Sequence, residues 1–238
     1  MTAFTLKIIA LTAMLADHLY VAFPDVFPFW FRGIGRLAYP IFVFLLAEGF
    51  RHTKSPEKFL MRLLAFAVIS EIPYDLVMRN DISFFANTNI FYTLFLGGMA
   101  ICLCERLKER RGWQTMAVIA AIFPTAMLAE FLTADYGGMG VLFIFIMYAI
   151  RPKTPRLVAF GIFALSQFIA LVYVYSMGIK IPPKYVLMMV FALASIPLVF
   201  MYNGERGKKA KWLFYWAYPV HLTALAVIAV IVNGFPLI

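Results

Sequence analysis

With 238 residues, 63% of them hydrophobic and 14% charged, and a mean hydropathy of +0.86, the chain carries more apolar surface than one soluble core can bury. That excludes an ordinary water-soluble domain, and the long continuous apolar runs exclude a membrane barrel, whose strands read as short alternating segments. The net charge of +9 raises nucleic-acid binding, but no basic patch interleaved with exposed aromatics stands apart from the loops between apolar runs.

In chain order the apolar runs predict nine helical spans, at 4–23, 34–50, 59–78, 89–104, 113–132, 138–150, 157–175, 184–201 and 212–232. The first run lacks a basic start followed by a small-residue cleavage site and carries Asp17 and His18 within it, so it reads as a retained helix. The second run is interrupted by Arg36, and the sixth is short. Basic residues accumulate in alternate loops: Arg51, Lys54, Lys58 and Arg62, then Arg106, Lys108, Arg110 and Arg111, then Arg151, Lys153 and Arg156, then Arg206, Lys208, Lys209 and Lys211. Lys7 falls on the same side, against Arg32, Arg36, Arg79, Lys180 and Lys184 on the other. The positive-inside rule then puts the N-terminus inside and the C-terminus outside. The expected fold is all-α, a single transmembrane helical bundle of about nine spans over residues 1–238.

Cys102 and Cys104 sit two apart on one helix and face different ways, so free thiols are expected. There is no CxxC, HExxH, glycine-rich phosphate loop or GxSxG elbow, and zinc, nucleotide and serine-nucleophile chemistry find no support. No metal is expected, and no repeat of 20 to 50 residues is visible.

Ionisable residues inside spans carry most of the information, because each is costly in hydrocarbon unless it is paired or lines a wet cavity. Asp17 and His18 fall in the second, outer half of the first helix. Arg32 and Arg36, spaced i,i+4, open the second span at the same outer end and offer planar donors for phosphate or carboxylate. The third helix ends with Glu71, Asp75 and Arg79 stacked on one face beside Pro73. Asn89 begins the fourth helix, Glu130 closes the fifth, and Asp135 to Gly140 form an outer turn. His221 follows Pro219 near the middle of the last span, and Glu48, Arg51 and His52 lie at the inner end of the second. A polar mouth outside and a second charged cluster inside are implied. The phenylalanine-rich stretches at 27–31 and 84–85 read as interfacial belts or lipid-facing surface.

The run Leu6 to His18 (LKIIALTAMLADH), with GRLAYPIFVFLLAEG from Gly35, RHT from Arg51, RL from Arg62 and SEIPYD from Ser70, closely resembles the TraX family of bacterial membrane proteins. NIFYTL from Asn89, DYGGMGV from Asp135 and FYWAYPVHL from Phe214 are similar to later motifs of that family, so nearly the whole chain is covered, least distinctively from Arg151 to Lys211. The family's namesake resembles an acetylase of the conjugative pilin amino terminus, distantly similar to polytopic acyltransferases that use coenzyme A. The resemblance implies a multi-pass protein of the bacterial cytoplasmic membrane, acetyl-CoA or another acyl-CoA as donor, and an acceptor of unspecified identity.

Acyl transfer to an amine or hydroxyl needs a base for the acceptor proton and a positive group for the tetrahedral oxyanion. His18 is the candidate base. Asp17 points about 100° around the helix from it, so Glu71 or Asp75 is an equally good orienting partner. Arg36, with Arg32 behind it, is the candidate for a thioester carbonyl or phosphate, and His221 for a second imidazole that donates to the leaving thiolate or lines the acceptor pocket. Arg51, His52 and Lys54 offer positive charge for the phosphates of a cytoplasmic acyl-CoA. A proton-coupled transporter and a non-catalytic assembly scaffold are the competing readings. The first predicts solute flux without acyl transfer, the second that His18, Arg36 and Asp75 are replaceable.

Overall fold

The computed structural model describes residues 1–79, 87–108, 114–180, 182, 188 and 190–233. Among them the regular structure is entirely helical. The helices are α1 (Ala3–Ala22), α2 (Trp30–Gly35), α3 (Ala38–His52), α4 (Pro56–Met78), α5 (Ile90–Lys108), α6 (Gln114–Phe131), α7 (Gly137–Ala149), α8 (Lys153–Ser176), α9 (Ser195–Phe200) and α10 (Lys211–Asn233). Five stretches are long and apolar enough to cross a membrane: α1, Trp30–His52, α5, α8 and Lys211–Val232. The start of the eighth expected span, with Lys184, and the residues Arg110, Arg111, Phe84 and Phe85 lie outside the described residues.

The expected break in the second span is real. α2 ends at Gly35, Arg36 and Leu37 make a turn, and α3 restarts at Ala38. The chain packs as two compact units, one of residues 1–42 and 151–237, the other of residues 43–150. Sequence alone offers one domain, since the apolar runs carry no mark of which helices gather together.

In the first unit α1 packs against α2 and α10. Thr2 caps α1, its hydroxyl accepting from the Thr5 amide, and the buried positions Leu6, Ala10, Ala13, Met14, Asp17 and His18 form one stripe at helical spacing. Two ionisable side chains therefore occupy positions where the pattern calls for apolar ones. The amides of Ala3 and Phe4 donate to the carbonyls of Glu205 and Arg206, and Asn203 donates back to Met1. Phe4 meets Phe214 edge to face, and the Lys7 ammonium sits 5.0 Å from the same ring. The starts of α1 and α10 are thus fastened side by side. The α8 face bearing Val158, Ile162, Leu165, Ile169 and Val172 is exposed, as a lipid-facing helix requires.

The second unit holds the rest of α3 with α4 to α7. The buried stripe of α4 runs Leu63, Phe66, Ala67, Ser70, Glu71, Tyr74, Asp75 and again places acids at core positions. Asn89 caps α5, accepting from the Phe91 amide at 3.0 Å. Helix α7 has 13 residues, about 20 Å of rise against a hydrocarbon core of about 30 Å. Its ends are closed by side chains from neighbouring segments. At the N-terminus Glu130 Oε1 accepts from the Gly138 amide at 2.7 Å, after Tyr136 and Gly137 turn the chain with φ of 66° and 51°. At the C-terminus Arg51 Nη2 donates to the carbonyls of Met147, Tyr148 and Ile150. An acid at the positive end and a guanidinium at the negative end also suit the helix dipole.

Helices α5 and α7 approach so closely at Gly97 that an added Cβ would lie 2.5 to 2.8 Å from three atoms of Ile144, its Cβ among them. Gly97→Ala is therefore expected to lower the unfolding temperature of the detergent-solubilised protein, an overpacking cost of about 1–3 kcal/mol. Gly161→Ala, where the new methyl meets nothing within 4 Å, is the control and leaves the midpoint unchanged or slightly raised.

Candidate functional site

The buried stripe of α1 delivers Asp17 and His18 to two different neighbours. Asp17 faces α2, where Arg32 Nη1 reaches its Oδ1 at 3.0 Å and Arg36 Nη2 its Oδ2 at 3.1 Å. The spacing of the arginines is what lets both reach one carboxylate, one from within α2 and the other from the turn after it. Close packing is needed as well, since a Cβ on Gly35 would fall 2.4 Å from the Asp17 Cβ. One carboxylate thus bridges two guanidinium groups. The cluster is not sealed, with side-chain exposures of 25% for Arg32, 22% for Arg36 and 11% for Asp17.

His18 faces α10. Its Nδ1 lies 2.7 Å from His221 Nε2, and His221 Nδ1 lies 2.6 Å from the Ala217 carbonyl one turn back on α10. The ring planes are within 12° of each other and the centroids 5.0 Å apart, which fits an in-plane hydrogen bond between adjacent rings. Tyr218, buried, stands edge-on to both imidazoles. Arg32 and Arg36 are near enough to interact electrostatically with the His18 ring.

Glu71 and Asp75 belong to the second unit. Glu71 Oε2 accepts from the side-chain and backbone amides of Asn89, while its Oε1 and the Ser70 hydroxyl are buried without a hydrogen-bond partner. Asp75, fully buried, has Arg79 at 3.9 Å. Within its own unit the group that orients His18 is therefore an imidazole, His221, and the carboxylate beside it in sequence serves the arginines.

The inner cluster divides likewise. Arg51 is committed to the end of α7 and to Glu48, which gives it a structural task that its sequence position does not reveal. His52, 3.7 Å from Glu48, and Lys54 are exposed. Sequence reasoning placed Asn89 at a helix start without seeing that it also holds Glu71; an asparagine directly before an apolar run signals only the cap. Cys102 and Cys104 are free.

The family model described as TraX protein matches residues 3–229. The chain belongs to the TraX family. The chain is also 30% identical over 245 residues to the probable fimbrial assembly protein FimC, serogroup H1, of Dichelobacter nodosus, the match covering 94% of each chain. No solved structure matches. In this TraX-family protein the two motifs most distant in sequence, the one ending in His18 and the one containing His221, are joined by the hydrogen bond between those histidines, beside the Lys7–Phe214 and His18–Tyr218 ring contacts.

Removing Asp17 would take the bridging carboxylate from two guanidinium groups in a largely buried setting. Asp17→Ala is expected to cost about 3–5 kcal/mol, read as a lowered unfolding midpoint in detergent. Replacing Arg32 with Met in the same chain should return part of that loss.

Proposed function

We propose that this protein is a membrane-embedded acyltransferase, moving an acyl group, acetyl in the first instance, from a cytoplasmic acyl-CoA to an amine or hydroxyl at the outer face. One observation carries the reading. An imidazole held by a second imidazole lies beside two partly exposed guanidiniums that flank the Asp17 carboxylate. His18 takes the proton of the acceptor as its nitrogen or oxygen attacks the thioester carbonyl. The oxyanion forms near the Arg32 and Arg36 guanidiniums, the C–S bond breaks, and the proton on His18 passes to the departing thiolate. His52 and Lys54 are candidates for the donor phosphates on charge and exposure alone. A relative described as a fimbrial assembly protein favours an acceptor among the components of a surface fibre or its assembly.

The proposal includes nine crossings of the bacterial cytoplasmic membrane with the N-terminus inside. The fastening of the starts of α1 and α10 supports crossing in the same direction and hence an odd number of crossings. The basic loops favour the N-terminal side as the inner one. Alkaline phosphatase fused after Phe27 is expected to be active, and after Lys54 or Arg151 inactive; the reverse pattern would invert the orientation.

The chemical test uses purified protein in nanodiscs with radiolabelled acetyl-CoA and, as acceptors, a peptide with a free amino terminus and a hexosamine glycoside. Label transfer with stoichiometric release of CoA thiol is expected, and His18→Ala should reduce it by about 10²–10⁴-fold while the variant still purifies as a cooperatively folding protein. Fibre assembly that survives His18→Ala and Arg36→Ala would favour the scaffold reading instead.

A further inference from the structure

We infer that His221 is a positioning residue that sets the tautomer of His18 through a chain of hydrogen bonds anchored on the Ala217 backbone carbonyl. Its catalytic meaning rests on the acyltransferase reading above; its geometry does not. A carbonyl oxygen carries no proton, so the 2.6 Å contact between it and His221 requires the hydrogen to sit on His221 Nδ1. A neutral His221 then presents a bare lone pair at Nε2. The 2.7 Å contact from that nitrogen to His18 Nδ1 is a hydrogen bond only if His18 Nδ1 carries a hydrogen. With both rings neutral, one arrangement remains, in which the lone pair of His18 is at Nε2. Among the described residues that nitrogen makes no hydrogen bond.

Water favours the opposite tautomer of a free imidazole, with the hydrogen on Nε2, and that form would turn a donor rather than a base toward the acceptor. The relay removes it. The task usually given to a carboxylate beside a catalytic histidine falls here to an imidazole and a peptide carbonyl, because Asp17 is bound by Arg32 and Arg36. Tyr218, edge-on to both rings, limits their rotation out of the shared plane. An uncharged relay also avoids placing a second carboxylate where the guanidiniums would capture it.

The chain has three histidines, so imidazole ¹⁵N spectra of the protein in lipid nanodiscs can be assigned by single substitutions. His18 and His221 are both expected to be protonated at Nδ1 and bare at Nε2, with a coupling from the His18 Nδ1 hydrogen to His221 Nε2. His221→Ala should return His18 to the Nε2–H form and lower kcat for acetyl transfer by about 10²-fold, with KM for acetyl-CoA unchanged. His221→Gln, whose side-chain oxygen can accept from His18 Nδ1, should restore the tautomer and most of kcat. A His18 protonated at Nε2 in the wild type, or a tautomer or kcat unmoved by His221→Ala, would overturn the relay. The expected tautomers in a wild-type protein that transfers no acetyl group would uphold the relay and sink the acyltransferase reading.

Discussion

A polar group carried into an apolar slab must bring its partner with it, because no water waits there to take the partner's place. That constraint organises the described structure more than any apolar contact does. Asp17 arrives with Arg32 and Arg36, His18 with His221, and Glu71 with Asn89. The short helix α7 follows the same rule at the level of the backbone. Thirteen residues leave its ends inside a thickness that a full span would cross, and the open amides and carbonyls there are met by Glu130 and Arg51. Apolar burial cannot choose one arrangement among many when lipid tails are as apolar as the core. The pairings can, since each wrong partner leaves a charge or a donor stranded.

This explains why much of the architecture is legible in sequence while the site is legible only in part. Spans are a one-dimensional property. The interruption at Arg36 and the brevity of the sixth run both correspond to features of the fold, the turn between α2 and α3 and the doubly capped α7. Asp17, His18, Glu71 and Asp75 stand out because they violate the apolar stripe they occupy. Their partners do not stand out. His18 and His221 are 203 residues apart, and nothing in the periodicity of either helix reports the other. Arg51 reads as a basic residue at a helix end, where solvated or ligand-binding charge is the ordinary expectation, and three carbonyls of α7 can claim it only once α3 and α7 are packed. The grouping into two units is invisible for a similar reason: all the runs are apolar, and the division falls inside α3, where the sequence changes character least.

The two polar networks differ in a way that separates chemistry from packing. In the second unit Asp75, Asn89 and Ser70 are fully buried and Glu71 nearly so, and a substrate could reach them only by displacing the core. Such a network fixes one mutual arrangement of α4 and α5 at some expense in stability. In the first unit the arginines keep about a quarter of their side-chain surface exposed, and among the described residues the imidazole pair leaves one ring nitrogen without a hydrogen bond. Two partly exposed guanidiniums beside an imidazole lone pair form a setting that can meet a further negative group. It is suited to a group that becomes negative only transiently. The thioester oxyanion of an acyl transfer is such a group, appearing after the carbonyl is attacked and vanishing when the thiolate leaves. On the acyltransferase reading, the two guanidiniums are where that transient charge would be met.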